Sequence, residues 1–273
     1  MIGSPQWGAV RMDQVQVSVL GASVSEAPLR YVLSAGRTGT VFLERLINEQ
    51  LAGVTAAHEP PATRYQMMLA NLRNDLGVGG SLLKRIFDRS RESRLKKMPG
   101  IYVEINPFLC PMTDLVPKPG HGLRVVHMVR DPASWAISIA TFRASTRFRG
   151  IIDHVPFAKP YPSPRPEGWP NLSEFERALW RWRWCNERIS SLQPMAEAYA
   201  LVRYEDLFSA DGPVQEAALS TIVETLDLPG KLVATADTMS MRANPSEGPG
   251  PDADTQATHR ICGDLARTYG YAF

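Results

Sequence analysis

Short β-branched runs alternate along this chain with stretches whose apolar residues recur every three or four positions. That alternation predicts a parallel sheet with helices on both faces. Residues 30–34 (Arg-Tyr-Val-Leu-Ser) read as the first strand. After a turn at 35–40, Phe42, Leu43, Leu46, Ile47 and Leu51 fall on one face of a helix. A brief strand at 54–57 ends at His58-Glu59-Pro60-Pro61, and a polar helical region then leads to a third strand at 101–105. Residues 125–129 are the most strand-like run. Asp131-Pro132 follows directly, predicting an N-cap, Pro at the first helical position and a helix through residue 142.

Between 143 and 171 the pattern dissolves, because Pro156, Pro160, Pro162, Pro164, Pro166 and Pro170 are too many for a regular element. A long loop within a compact domain is usually a functional lid or a disordered segment. Arg143, Arg147 and Arg149 stand at its start. Periodicity resumes with a helix over 174–192, a strand over 200–204, a helix after Pro213 and a closing helix over 258–269, with a loop at 243–256. No repeat or boundary divides residues 29–273, so they are expected to form one domain. Residues 1–28 precede it as an arm of uncertain structure.

Composition adds mainly exclusions. A formal charge of +2 over 273 residues is too small to suggest a nucleic-acid or membrane partner, so any cationic site must be local. No stretch approaches the roughly 18–20 apolar residues of a membrane span, and the first residues lack a basic region followed by an apolar core, so no secretory signal is expected. Cys110, Cys185 and Cys262 lie far apart without a CxxC pair, which fits a reducing, cytoplasmic setting. His121, His127 and His154 lack ligand spacing, and no metal site is expected. The basic run Lys84, Arg85, Arg89, Arg91, Arg94, Lys96 and Lys97 reads as a solvated helix face. Trp180, Trp182 and Trp184 span one turn, so only one or two of them can pack in the core.

The chemistry concentrates in two places. Gly36-Arg37-Thr38-Gly39-Thr40 joins a strand to a helix, an arrangement that binds anions through unpaired N–H groups at the helix start. Arg37 adds a charge, and Thr38 and Thr40 add hydroxyls. The Lys-Ser/Thr of a Walker A motif is missing, which weakens an ATP-dependent kinase. Farther on, Arg130 ends the buried strand at 125–129 and faces the crevice where open α/β sheets bind ligands. Its planar fork suits a phosphate, although a pairing with Asp131 is the plainer alternative. Ser138 lies two helical turns on.

Residues 31–40 resemble the 5′-phosphosulfate loop of the sulfotransferases that use 3′-phosphoadenosine-5′-phosphosulfate (PAPS), whose carbohydrate and protein-tyrosine branches carry an Arg-Ser/Thr-Gly-Thr core. The run Arg130-Asp131-Pro132, with Ser138 eight residues after the arginine, is similar to that family's 3′-phosphate motif. Weaker likenesses lie at Glu104-Ile105-Asn106-Pro107-Phe108, at Tyr204-Glu205-Asp206-Leu207 and in the last helix. Where the protein-tyrosine branch has a lysine, this chain has Glu104 and Asn106, which leaves a second basic contact to the transferring group in doubt.

The resemblance implies a P-loop-NTPase-like sulfotransferase fold and PAPS as donor, without a metal. It implies that Gly36, Arg37, Thr38, Gly39, Thr40 and Val41 hold the 5′ end and that Arg130 and Ser138 hold the 3′-phosphate. Arg37 would then meet the bridging oxygen. Glu59, just past the second strand, is the expected general base, with His58 as the competing candidate. A small-molecule, glycan or lipid-linked acceptor is expected, without nucleic acid or membrane insertion. The rival functions are a P-loop-like kinase of a small molecule and a non-catalytic nucleotide-binding protein.

Overall fold

The computed structural model describes residues 26–98, 100–140, 159–235, 238 and 253–272. The arm up to residue 25, residues 141–158 with Arg143, Arg147, Arg149 and His154, and most of 236–252 lie outside the described residues. Five strands form one parallel sheet: β1 (Glu26–Ser34), β2 (Val54–His58), β3 (Ile101–Ile105), β4 (His121–Val129) and β5 (Ala198–Arg203), in the order β2-β3-β1-β4-β5. The expected α/β class, a parallel sheet flanked by helices, is therefore observed.

Both faces of the sheet are covered, so its central strands read as almost unbroken apolar runs. Alternation along each strand sends residues to opposite layers. Leu29, Tyr31 and Leu33 of β1 and Val125 and Val129 of β4 pack into one core layer. That layer also receives α2 (Thr63–Leu76), α3 (Gly80–Lys97), α4 (Pro132–Ala140), α5 (Glu174–Ser190) and the last helix, Thr255–Thr268. Val32, Val126 and Met128 face the other layer, against α1 (Thr40–Gln50) and α6 (Gly212–Leu226).

Helix boundaries follow local chemistry. Ser173 and Glu176 form a capping box at the start of α5, with Ser173 Oγ accepting from the Glu176 N–H. Asp131 Oδ1 accepts from the Ser134 N–H at 2.7 Å, which makes Asp131 the cap of α4 and not an ion-pair partner of Arg130. The polar helical region divides into α2 and α3 at Gly77 and Gly79, both in the left-handed conformation.

Several details differ from the sequence reading, and β1 and β4 begin at Glu26 and His121, earlier than the expected 30 and 125. Pro107–Leu115 forms a 3₁₀ stretch where the prolines had masked any periodicity. The fifth strand ends at Arg203, and Tyr204–Leu207 is a single helical turn. The basic helix is not wholly solvated, since Arg91 is buried and Arg94 pairs with the buried Glu104.

Candidate active site

The candidate residues lie at the C-terminal ends of β1, β2 and β4 and in the turns and helices that follow them. Between β1 and α1, Gly36, Arg37 and Gly39 all take positive φ, at 88°, 57° and 81°. A glycine is required at 39, because a Cβ there would lie 2.5 Å from Cε2 of Phe208. Phe208 in turn packs on Phe42 and Tyr204. No side chain caps α1 at Gly39, so its first N–H groups (Thr40, Val41) are left to a ligand or water. Thr38 is 1% exposed, and its Oγ1 lacks a hydrogen-bond partner.

The two motifs, about ninety residues apart in sequence, meet directly. Arg130 donates to the Arg37 carbonyl at 3.3 Å, Arg37 Nε donates to Ser138 Oγ at 3.1 Å, and Trp135 Nε1 donates to the Gly36 carbonyl at 2.6 Å. Arg130 stacks on the Tyr204 ring at 4.5 Å, and its own carbonyl accepts from Trp182 Nε1. Among the described residues Arg130 forms no ion pair, and its buried Nε has no partner. Burial, and after it the neighbouring Arg130, lowers the pKa of the Arg37 guanidinium. Two half-buried cations side by side repel one another. An anion between them relieves the repulsion and the desolvation together.

A second group forms at the end of β2. His58 Nε2 lies 3.0 Å from Thr40 Oγ1, tying this strand end to the first residue of α1. Burial pushes the His58 pKa down to about 4, so the ring is neutral near pH 7. Glu59 takes a left-handed backbone with φ 45°, and its N–H donates to the Ile105 carbonyl at 3.0 Å. Burial raises the Glu59 pKa, with the Arg64 charge pulling the other way. Its Oε1 lies 3.9 Å from His58 Nε2.

All ten sequence-predicted site residues therefore sit on these two adjoining clusters. Trp135, Tyr204 and Phe208, which pack around the turn between β1 and α1 and around Arg130, were missed as site residues. Their signal was present, since Trp135 lies inside the Arg130–Ser138 run and Tyr204 opens the Tyr-Glu-Asp-Leu segment, but their contacts cross long stretches of chain. Glu104, in contrast, pairs with Arg94. No group of three His, Cys, Asp or Glu residues among the described residues is placed to hold a metal ion. None of the described helices is long and apolar enough to cross a membrane.

A parallel sheet with a glycine-containing turn and an uncapped helix start after its central strand defines the class as an α/β protein. Within that class the structure is similar to the sulfotransferase domain from the Synechococcus PCC 7002 olefin synthase. The TM-score is 0.51 at 15% sequence identity, over 90% of this chain and 95% of that one. This likeness shows a sulfotransferase-like fold. No family model and no curated protein matches the chain.

Proposed function

We propose that the chain is a sulfotransferase that moves the sulfuryl group of PAPS to a hydroxyl on a small-molecule, glycan or lipid-linked acceptor. The observation that carries this reading is the junction of Arg37, Arg130 and Ser138 beside an uncapped helix start and the partnerless Thr38 hydroxyl. PAPS is an anion at both its 5′ and 3′ ends, and these residues fit that charge. Residues 36–41 would hold the 5′ end, and Arg130 with Ser138 the 3′-phosphate.

When bound, PAPS supplies an activated sulfuryl group for in-line displacement through a loose transition state. Glu59 accepts the acceptor's hydroxyl proton as the new O–S bond forms. Arg37 neutralises the negative charge gathering on the bridging oxygen, which leaves with adenosine 3′,5′-bisphosphate (PAP) as its bond to sulfur breaks. The pKa directions favour Glu59 over His58 as the base. A carboxylate shifted upward approaches the working pH, whereas a ring pushed down to about 4 holds a proton poorly. Three free, buried cysteines accord with a cytoplasmic setting.

The test pairs calorimetric binding of PAP with turnover of labelled PAPS over a panel of phenols and sugars. Glu59→Gln is expected to keep PAP affinity and lose about 10²-fold or more in turnover. Near-normal turnover by that variant removes Glu59 as the base, and a wild-type protein that ignores PAP removes the donor.

A further inference from the structure

Glu104 and Asn106, at the end of β3, are buried polar residues to which the proposed chemistry gives no task. A carboxylate at 1% exposure needs a partner, and Glu104 Oε2 has Arg94 at 2.9 Å. Its Oε1 accepts from Asn106 Nδ2 at 2.7 Å. Asn106 Nδ2 also donates to Thr63 Oγ1 at 3.3 Å, while Asn106 Oδ1 accepts from the Phe108 N–H at 3.1 Å. The orientation of this amide is fixed. Exchanging its oxygen and nitrogen would set acceptor against carboxylate and donor against N–H.

The network continues into the turn that carries Glu59. Thr63 donates its hydroxyl to the Pro60 carbonyl at 2.7 Å, and its N–H reaches the same oxygen. On the opposite side the Asn106 N–H donates to the Val32 carbonyl of β1 at 2.9 Å, in the strand that feeds the phosphate turn. Glu59 and Ala62, at φ 45° and 74°, both occupy backbone that disfavours side chains. Such strain persists only where the surroundings over-determine it. A chain of buried hydrogen bonds ending at this turn meets that condition.

We infer that Asn106, held by the buried Glu104–Arg94 pair and acting through Thr63, is a positioning residue that clamps the 59–62 turn and sets the Glu59 carboxyl against the phosphate turn. The inference rests on Glu59 being the base of the proposed reaction. An apolar trio would serve stability equally well, since buried ion pairs seldom repay their desolvation. A single orientation is what the polar network adds.

Thr63→Val is nearly isosteric and cuts both hydrogen bonds of the Thr63 hydroxyl, to Asn106 and to the Pro60 carbonyl, while Thr63→Ser keeps the hydroxyl. The carboxyl of Glu59 is followed by carbon NMR titration in the wild type, in both Thr63 variants and in Asn106→Ala. His58 and Arg64, the charged or titratable groups facing Glu59, are unchanged throughout. In Thr63→Val and Asn106→Ala the Glu59 midpoint is expected to fall toward the ordinary carboxylate value as the turn opens to water. Turnover of PAPS with a simple phenol should fall about tenfold, with the KM for PAPS within about twofold of wild type. Thr63→Ser should restore both readings.

A folded Thr63→Val protein with the wild-type Glu59 midpoint overturns the inference, and should Asn106→Ala not fold, the Thr63 pair still decides. If the wild type neither binds PAP nor consumes PAPS, the sulfotransferase reading fails. The titration tests the clamp regardless.

Discussion

Gly39 shows how much of the candidate site can hang on one position. Its φ of 81° and the Phe208 ring beneath it exclude even a methyl group without rearrangement. Gly39→Ala is therefore expected to destabilise the fold by about 1–3 kcal/mol, read as a lower urea midpoint, and to weaken PAP binding because the turn must shift. Arg130→Ala should weaken PAP far more than adenosine 5′-monophosphate, which lacks the 3′-phosphate. Equal losses for the two ligands would place the 3′ site elsewhere. These residues were legible in the sequence because a glycine-containing turn between strand and helix, and an arginine closing an apolar run, stand out from the pattern around them. The ring of Tyr204 under Arg130 was not legible, because a cation over an aromatic face leaves no trace in spacing.

Among elements, the centres of β1 to β5 could be drawn from their apolar runs, which a sheet covered on both faces demands, and most helices from apolar periodicity. Helix ends are set where side chains cap them. The Ser173–Glu176 box, which the sequence reading did not name, caps the start of α5, and Ser173→Ala should cost about 1 kcal/mol by denaturant titration, from one unsatisfied helical N–H. The basic helix α3 was misread in part for an equally plain reason. Whether a charge faces water depends on a partner from another element, and Glu104 waits on β3 for Arg94. The 3₁₀ stretch Pro107–Leu115 escaped because Pro107 and Pro111 break any helical count.

At the scale of the whole molecule, buried histidines couple the sheet to its helices. His127, in the middle of β4, is bound by Tyr199 OH at 2.7 Å through Nδ1 and by Asn186 Oδ1 at 2.9 Å through Nε2. Burial pushes its pKa down to about 4, as it does for His58. An unfolded histidine titrates near 6.5, so between these values the unfolded chain binds more protons. The stability conferred by each neutral ring is thus complete above about pH 6.5 and is lost as pH falls toward about 4. Glu59, shifted the other way, opposes this only in part. The urea midpoint should drop between about pH 7 and about pH 5, and less so in His127→Gln. An equal drop in both proteins would mean that His127 is not a source of the loss.

The amino-acid sequence by itself determined the class of fold and placed most candidate residues at strand ends. Periodicity and the few backbone shapes open to glycine and proline are local properties, and they suffice for those conclusions. Only the tertiary structure decided that Arg37 and Arg130 touch, that Asp131 caps a helix instead of pairing with Arg130, and that Glu104 and Asn106 brace the turn bearing Glu59. Each of those facts depends on which buried donor finds which acceptor across the sheet. That choice is made by packing, after local preferences have been satisfied.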